Sequence, residues 1–536
     1  MFLRYHAPAS LTDTLGSLVN DKVASRIAAG DPTVWGPAAQ EESAKRLGWV
    51  GLPESSRPLL AEIEALHAQL REEGLTRVVL AGMGGSSLAP EVICKTAGVD
   101  LVTLDTTDPQ QVADALAPEI ERTVVVVSSK SGGTVETDSH RRTAEKAFSD
   151  AGIDAASRII VVTDPGSPFE KLSTEAGYRK VFLADPSVGG RYSALTAFGL
   201  VPSGLAGADI AALLDDAAYA QKQCAKDAVD NPALLLGAVL GDAEKSGAEK
   251  IVFAPNGTAN DGFADWVEQL LAESTGKDGR GVLPVALTGT DDVGYADAGP
   301  DAVPVALGEV DAPQSSSGFA IASDGPLGAQ FYLWEFATAV AGAVIGINPF
   351  DQPNVEEAKV QARKLLGGSG PADDATPLLT EGAVQVYADG DWASGQDTLA
   401  GVLAALLQTD PPNGYVAIMA YLDRHNDRLA ADLRPLIARA SGKQTTFGWG
   451  PRFLHSTGQY HKGGHPNGAF LQITADAPQD LPIPDQPFTF HTLQLAQASG
   501  DAAVLKAKGR PVLRLHLSDR GAGLDQVATA LEEMSS

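Results

Sequence analysis

The sequence predicts an α/β protein built from doubly wound parallel sheets. Strand-length runs of Val, Ile and Leu recur along the chain, and they are continuous rather than alternating. Such runs are typical of parallel strands that helices cover on both faces. Helix-like stretches separate the runs, and polar glycine-rich turns follow two of them, as expected where an open sheet binds a ligand. We therefore predict three-layer αβα units.

The predicted elements fall into two series along the chain. Residues 1–50 are polar and are predicted to form a helical N-terminal segment, and a helix follows at 58–70 because leucine and isoleucine recur there at helical spacing. Strands of the first unit, over 51–225, are predicted at 78–81, 101–105, 123–128 and 158–163. Strands of the second unit, over 226–536, are predicted at 250–254, 282–287, 303–307 and 318–322.

The C-terminal part of the second unit is less clearly organised. A loop rich in Gly, Pro and Asp at 367–378 is predicted to interrupt it. Strand-like runs at 415–421, 469–473 and 512–517 extend α/β structure to the C-terminus. These runs either form a third domain or complete the second sheet.

Composition excludes several classes of partner. The chain has 536 residues and a net charge of −28, which argues against nucleic acid or an anionic membrane as a partner. Cys94 and Cys224 form no disulfide framework, and the N-terminus lacks the apolar core of a secretory signal, so we expect a cytoplasmic protein. The apolar run at 336–347 is too short to span a bilayer and is predicted to be a core helix.

A glycine-rich turn, GMGGSSLAP at 82–90, follows the first predicted strand. Backbone N–H groups at such a turn, before a helix, can hold a phosphate. The alternative is a dinucleotide, because Gly82 and Gly84 begin a G-x-G-x-x-G pattern and Asp105 follows about 20 residues later. The third glycine of that pattern is missing, because residue 87 is serine.

A second polar turn, SSKSGGT at 128–134, follows another strand of the same predicted sheet. Two such turns can hold one phosphate between them, whereas a dinucleotide site does not need the second. The alternative is that these hydroxyls are ordinary helix N-caps. The candidate phosphate-binding residues of the two turns are Gly85, Ser86, Ser129, Lys130, Ser131 and Thr134.

Further candidates follow later in the chain. Arg191 comes after a glycine pair and could stabilise an oxyanion. Gln269 and Glu273 share one face of a helix predicted within 261–277. A carboxylate in a last helical turn is disfavoured by the helix dipole, so Glu273 either faces water or is placed for proton transfer. Lys359 is either an exposed helical lysine or part of the site.

Five segments occur in an order that resembles the phosphoglucose isomerases: GMGGSSLAP, SSKSGGTVET, GGRYS, QLLAESTGK and NPFDQPNVEEAK. The resemblance covers about residues 75–360 and extends to the isomerase part of transaldolase and phosphoglucose isomerase fusions. It implies two sugar isomerase (SIS) subdomains, each a parallel sheet between helices. It also implies a sugar phosphate as substrate, a homodimer, and chemistry that needs no metal and no cofactor.

The resemblance also implies a role for each candidate. Ser86, Ser129, Ser131 and Thr134 would hold the phosphate. Glu273 would move a proton between C2 and C1, Arg191 would stabilise the cis-enediolate, and Lys359 would assist ring opening. Gln269 and Gln352 would line the site.

One family element is displaced in this chain. The family usually has a G-x-x-Q-H histidine before the F-D-Q segment, supplied to the neighbouring subunit for ring opening, but no histidine lies between His140 and His425. A similar string occurs only downstream, in LHSTGQYHKGGHPNG at 454–468. We predict His461 as this histidine, with His455 and His465 as rivals. A metal site is the alternative, but no acid or cysteine cluster lies nearby in the sequence.

The sequence therefore predicts interconversion of glucose 6-phosphate and fructose 6-phosphate through a cis-enediol. Three alternatives stay open. An isomerase of another 6-substituted hexose, such as a sulfo-sugar, would use a similar anion pocket. A sugar phosphate sensor would not need a base such as Glu273. A nucleotide-dependent oxidoreductase would need the dinucleotide reading of the first turn.

Overall fold

The computed structural model describes residues 1–367, 376–388 and 390–534. Within that part of the chain the strands form three sheets, and helices lie between the strands. The strands are β1 (Phe2–His6), β2 (Arg77–Gly82), β3 (Val102–Leu104), β4 (Thr123–Ser128), β5 (Ile159–Thr163), β6 (Lys180–Leu183), β7 (Lys250–Pro255), β8 (Leu283–Ala286), β9 (Ala302–Leu307), β10 (Ala320–Asp324), β11 (Leu379–Glu381), β12 (Val384–Ala388), β13 (Tyr415–Ala420), β14 (Gln444–Trp449), β15 (Gly468–Ala475) and β16 (Val512–Leu517).

The α-helices alternate with these strands, and short 3₁₀ turns occur at several of the connections. The helices are α1 (Leu11–Asn20), α2 (Val23–Ala28), α3 (Gln40–Arg46), α4 (Leu52–Ser55), α5 (Pro58–Glu72), α6 (Leu88–Ala97), α7 (Pro109–Leu116), α8 (Val135–Asp150), α9 (Pro168–Glu175), α10 (Ala197–Ala206), α11 (Ile210–Cys224), α12 (Pro232–Lys245), α13 (Phe263–Thr275), α14 (Leu327–Ile345), α15 (Val355–Leu366), α16 (Leu399–Leu407), α17 (Leu429–Ser441), α18 (Gly458–Gly463), α19 (Phe490–Ala507) and α20 (Arg520–Met534).

The first sheet has the order β3-β2-β4-β5-β6 and is parallel throughout. Its central strands β2 and β4 are buried, which agrees with their continuous apolar runs. Gly82 pairs with Ser128 at the carboxyl ends of these two strands. The two polar turns therefore start side by side at one edge of the sheet.

The second sheet has the order β1-β10-β9-β7-β8. Strands β7 to β10 are parallel, and β1 joins the edge antiparallel to β10. The N-terminal segment 1–50, predicted to be helical, therefore begins with a strand at Phe2–His6, and helices α1, α2 and α3 follow it. An edge strand needs one hydrogen-bonding partner and little burial, and most of β1 is exposed or half-buried.

The C-terminal strands form a third sheet, with the order β11-β12-β16-β15-β13-β14. Strands β13 to β16 are parallel to one another, and β11 and β12 are antiparallel additions at one side. These strands therefore do not complete the second sheet. We call residues 376–534 the third unit. Residues 368–375 of the loop predicted at 367–378 lie outside the described residues.

The three sheets share their hydrophobic cores. One core joins Val252 of β7 with Tyr415 and Phe470 of the third sheet. Another joins Val79 and Val125 of the first sheet with Phe490 and Leu493 of α19, so the third unit packs against both of the others.

The apolar run at 336–347 lies mostly in α14, which is buried along nearly its whole length. This confirms the predicted core helix. Of the helices within the described ranges, none is both long and apolar enough to cross a bilayer.

Candidate active site

The two polar turns meet at the carboxyl edge of the first sheet, and their helices begin without side-chain caps. Ser87 precedes α6 and Thr134 precedes α8, and neither side chain hydrogen-bonds to the first amides of its helix. The alternative that these hydroxyls are ordinary N-caps is therefore wrong for both positions. The Oγ atoms of Ser129 and Ser131 instead accept from the amides of Gly132 and Gly133, at 3.1 and 3.2 Å, which shapes the second turn.

Lys130 does not face the same place as its neighbours. Its Nζ donates to the carbonyl oxygen of Val188 at 2.6 Å and lies 3.2 Å from Asp164. The expectation that Lys130 binds the phosphate directly is corrected on this ground, because the ammonium is held against the loop that follows β6.

The first turn approaches its neighbours so closely that only glycine fits. A Cβ on Gly85 would lie 1.9 Å from the carbonyl oxygen of Gly190, next to Arg191. Gly84 has φ +57°, and a Cβ there would lie 2.9 Å from both Nε2 of Gln269 and the carbonyl oxygen of His455. The turn therefore touches the arginine segment, helix α13 and the third unit at once.

Glu273 and Arg191 lie together in the interior. Oε2 of Glu273 is 3.6 Å from Nη1 of Arg191 and 3.4 Å from Nε2 of Gln269. Burial raises the pKa of the Glu273 carboxyl, and the charge of Arg191 opposes that rise. The carboxyl is therefore neither in water nor locked in a tight ion pair, as a proton-transfer group requires.

Arg191 also fixes the loop between α14 and α15. Its Nη1 donates to Oε1 of Gln352 at 2.7 Å, and its Nη2 donates to the carbonyl oxygens of Pro349 and Asp351 at 2.8 and 3.0 Å. Lys277, just after α13, donates to the same loop. The structure therefore brings Arg191, Gln352, Gln269 and Glu273 into one cluster.

The three candidate histidines lie in three different environments. His461 on α18 is buried, with its ring packed near Tyr415, Phe453 and Phe470. Burial lowers the pKa of His461 to about 3, and neither ring nitrogen has a hydrogen-bond partner among the residues the structure describes. The expectation that His461 faces the substrate is corrected, because its surroundings are an aromatic core.

His465 is also remote from the cluster. Its Nδ1 lies 3.1 Å from Glu249, which precedes β7 and so stands at the amino edge of the second sheet. His455, in contrast, is the last residue of the 3₁₀ turn Arg452–His455, and its side chain reaches the second polar turn. Its Nε2 lies 3.0 Å from Oε1 of Glu136, and its carbonyl oxygen accepts from Gln269 at 2.8 Å.

A cavity of about 200 Å³ lies where these groups meet. Ser131, Thr134, Lys359 and His455 line it, together with Glu136. Neither Glu273 nor Gln269 lines the cavity, but Gln269 hydrogen-bonds both to Glu273 and to the carbonyl oxygen of His455, which does line it. The side chain of Lys359 is half-buried, and within the described ranges its nearest carboxylate, that of Glu356, is 4.0 Å away.

A larger cavity of about 450 Å³ lies between α6, α13 and the third unit. None of the site residues predicted from the sequence lines it, and the cations Arg424 and Arg452 on its wall are paired with Glu91. The smaller cavity is therefore the candidate active site.

Sequence reasoning missed three residues of this arrangement. Glu136 lies in the segment SSKSGGTVET, and its place in the first turn of the helix after the second polar turn is the signal that identifies it. Lys277 is the last residue of the segment QLLAESTGK, and its place within that segment is the signal for it. Gln497 on α19 donates to Glu136 at 2.7 Å, and nothing in the sequence signals it.

Comparisons with known proteins identify the family of the chain. Residues 67–302 match the family model described as phosphoglucose isomerase. The chain is 30% identical over 375 residues to a probable glucose-6-phosphate isomerase of Natronomonas pharaonis. The matched region covers 61% of this chain and 86% of the relative. It is also 30% identical over 391 residues to a glucose-6-phosphate isomerase of Rubrobacter xylanophilus. That match covers 60% of this chain and 90% of the relative.

Solved structures give the same picture of the fold. A hypothetical protein of Thermus thermophilus matches with a TM-score of 0.58 and 26% identity, over 68% of this chain and 100% of that one. A glucose-6-phosphate isomerase of Chlamydia trachomatis matches in fold with a TM-score of 0.54 and 18% identity, over 67% of this chain and 86% of that one. With its two polar turns, its buried glutamate and relatives aligned over most of their length, the chain belongs to the phosphoglucose isomerase family.

Proposed function

We propose that the protein interconverts glucose 6-phosphate and fructose 6-phosphate through a cis-enediol. The observation that carries this is the buried Glu273, with its raised pKa, beside Arg191 and next to the cavity that the second polar turn lines. The two relatives described above are named as glucose-6-phosphate isomerases, which supports the same reaction.

The phosphate is held by the two polar turns. The hydroxyls of Ser86, Ser131 and Thr134 and the uncapped amides that begin α6 and α8 are the donors we assign to it. Helix N-termini favour an anion through both their free N–H groups and their dipole. In a chain of net charge −28, such a local site supplies the attraction that the overall charge does not.

Proton transfer is assigned to Glu273. The carboxylate removes the proton from C2 of the aldose and returns it to C1, and the hydroxyl proton moves in the same direction, from O2 to O1, so that the carbonyl group passes from C1 to C2. Negative charge that develops on the enediolate oxygens is stabilised by the guanidinium of Arg191, which is permanently charged. Residues of this chain carry each of these steps.

Ring opening is assigned to Lys359 and His455. Both line the same cavity, so one can supply a proton to the ring oxygen while the other accepts the hydroxyl proton. His455 replaces His461 in this role because His461 is packed in an aromatic core. A homodimer and a cytoplasmic location belong to the proposal as expectations of family resemblance and composition, and sedimentation measures the first.

The test is a coupled assay that supplies fructose 6-phosphate and detects glucose 6-phosphate. Glu273→Gln keeps the size of the side chain and removes the base, so we expect kcat to fall at least about a hundredfold. The matched control is Glu268→Gln on the same helix. Burial raises the pKa of Glu268 to about 8, so this carboxyl is largely neutral already, and the control keeps most of its activity.

Two results would count against the proposal. Wild-type protein that produces no glucose 6-phosphate is not this isomerase. Equal turnover by wild type and Glu273→Gln would show that the reaction uses another base.

A further inference from the structure

We propose that the third unit supplies the ring-opening histidine to the active site of its own chain, so that one chain carries a complete site. The inference rests on the proposed function, and it departs from the family arrangement in which a neighbouring subunit provides this histidine. What carries it is the position of His455, which belongs to the third unit yet touches the first unit on two sides.

The imidazole is held by a chain of buried hydrogen bonds that alternates between the two units. Nε2 of His455 lies 3.0 Å from Oε1 of Glu136, which lies in the first turn of α8. Gln497 of α19 donates to the same oxygen at 2.7 Å. The hydroxyl of Thr107 then donates to Oε1 of Gln497 at 2.8 Å. Glu136 is thus held by two residues of the third unit.

This contact has an electrostatic consequence. Burial alone would raise the pKa of the Glu136 carboxyl, but the charge and hydrogen bond of His455 lower it to about 2. A buried carboxylate at this distance fixes the orientation of the imidazole ring. His455 itself lines the cavity, and its other ring nitrogen, Nδ1, is the atom that the proposal assigns to the substrate.

The backbone of the histidine segment is anchored just as firmly. Nη1 of Arg452, three residues before His455, lies 2.6 Å from Glu91 and 3.1 Å from Asp105, both in the first unit. Gln269 of the second unit donates to the carbonyl oxygen of His455 at 2.8 Å. The 3₁₀ turn Arg452–His455 is therefore tied to both of the units that carry the rest of the site.

The third unit also positions the second ring-opening residue. Helix α15, which carries Lys359, lies along α19, which carries Gln497. The approach is close, since a Cβ on Gly500 would lie 2.9 Å from the backbone N of Ala362 and 3.2 Å from the carbonyl oxygen of Ala358. The same unit thus fixes both groups assigned to ring opening, and no residue of a second chain is required.

The first experiment mixes two inactive variants. Glu273→Gln and His455→Ala are co-expressed with different affinity tags, and the species that carries both tags is assayed with fructose 6-phosphate. If each chain uses its own histidine, every site in a mixed assembly has one defect, and the activity stays at the level of the separate variants. If the histidine came from the neighbour, one site of each mixed dimer would be intact.

We therefore expect no recovery of activity, whether the protein is a monomer or a dimer. Recovery to about half of the wild-type rate per dimer would overturn the inference. A protein that forms no doubly tagged species is a monomer, and its wild-type activity then shows directly that one chain is sufficient.

The second experiment does not depend on turnover, so it separates this inference from the proposed function. Glu136→Cys and His455→Cys are combined and treated with a short bis-maleimide, which reaches both positions through the cavity that they line, whereas the native Cys94 and Cys224 are buried and do not line it. We expect a cross-link within the chain, seen by mass spectrometry of the peptides and by an unchanged monomer band in a denaturing gel. The single-cysteine variants serve as controls.

A covalent dimer that forms only in the double variant, or no cross-link at all, would overturn the inference. An intrachain cross-link in a protein that does not isomerise fructose 6-phosphate would leave the placement of His455 intact and reject the proposed function instead.

Discussion

At the scale of single residues, Gly84 joins the three parts of the active site. It lies in the left-handed region, at φ +57°, and a Cβ there would meet Nε2 of Gln269, the carbonyl oxygen of His455 and the Cβ of His455 within 3.0 Å. The two His455 atoms are a backbone oxygen and a Cβ, which cannot move aside cheaply, and Nε2 of Gln269 is tied to the same backbone oxygen by a hydrogen bond of 2.8 Å. The spacing of the phosphate turn, the helix of the base and the histidine therefore depends on one missing methyl group.

Gly84→Ala is predicted to lower activity by at least about tenfold, because displacing Gln269 and His455 by a few tenths of an ångström spoils the alignment of reacting groups. It should also reduce the free energy of unfolding by about 1–2 kcal/mol through the left-handed backbone alone. The coupled assay and denaturant unfolding measure the two effects.

Gly98→Ala is the matched control for that change. Gly98 ends α6 with φ +65°, and a Cβ there meets nothing within 4 Å. It should show the same loss of stability and keep its activity. If both variants retained wild-type activity, the close packing at Gly84 would have no catalytic meaning.

At the scale of elements, the loop 348–353 between α14 and α15 accepts hydrogen bonds from two cations, Lys277 and Arg191. Nζ of Lys277 donates to the carbonyl oxygens of Asn348 and Asp351 at 2.6 and 2.7 Å and lies 2.6 Å from Oδ1 of Asp351. Arg191 donates to the same loop, at the carbonyl oxygens of Pro349 and Asp351, so that the Asp351 oxygen accepts from both cations. Burial lowers the pKa of Lys277 to about 8, a sign that the ammonium is desolvated where it binds.

Lys277→Met is predicted to release this loop and so to reduce kcat/KM by about tenfold or more, because hydrogen bonds to a charged donor contribute about 1.5–3 kcal/mol each. Lys364→Met, on the exposed side of α15, is the control and should behave as wild type. Steady-state kinetics with fructose 6-phosphate decide the matter. Wild-type kcat/KM in Lys277→Met would mean that Arg191 alone is sufficient to hold the loop.

At the scale of the whole molecule, the three sheets share hydrophobic cores. One fully buried carboxyl group, that of Glu335, lies in this interior. Glu335 on α14 is fully buried, and neither carboxyl oxygen has a hydrogen-bond partner within the described ranges. Burial raises the pKa of Glu335 well above its ordinary value of 4.5. Burial therefore favours the protonated carboxyl in the folded protein more strongly than in the unfolded chain.

This difference makes stability depend on pH. Above pH 4.5 the unfolded chain loses the Glu335 proton while the folded protein keeps it, so the contribution of Glu335 to stability falls as pH rises. Glu335→Met removes both this dependence and the unsatisfied oxygens. It should raise the free energy of unfolding at pH 8 by about 1–3 kcal/mol, with a smaller gain at pH 5.

Denaturant unfolding at pH 5 and pH 8 measures that gain. Glu64→Met, at an exposed position on α5, is the control and should change stability by less than about 0.5 kcal/mol at either pH. A gain for Glu335→Met that is the same at both pH values would contradict the assigned ionisation.

The central strands could be predicted from the sequence because burial on both faces demands continuous apolar residues, as in β2 and β4. Within the described ranges, the strands that the sequence did not predict are β1, β6, β11, β12 and β14; four of them lie at the end of a sheet, and β12 lies beside the edge strand β11. An edge strand is partly solvated, so its sequence is mixed, and a short mixed run does not stand out from a loop.

The site divides in a similar way. The turns, Arg191 and Glu273 could be predicted because each belongs to a local segment with its own chemistry. The choice among His455, His461 and His465 could not, because it depends on contacts between distant parts of the chain. The contact of Arg452 with Glu91, 361 residues away in sequence, is what brings His455 and not His461 to the site.

The central claim is that Glu273 moves one proton between C1 and C2 of the bound sugar phosphate. Its most direct test is to incubate fructose 6-phosphate in D₂O and to follow by NMR the exchange of the hydrogens at C1. The wild-type protein is predicted to exchange one of the two C1 hydrogens stereospecifically, and Glu273→Gln to do so at least about a hundredfold more slowly. Exchange at the wild-type rate in Glu273→Gln, or exchange of both hydrogens by the wild-type protein, would contradict the account.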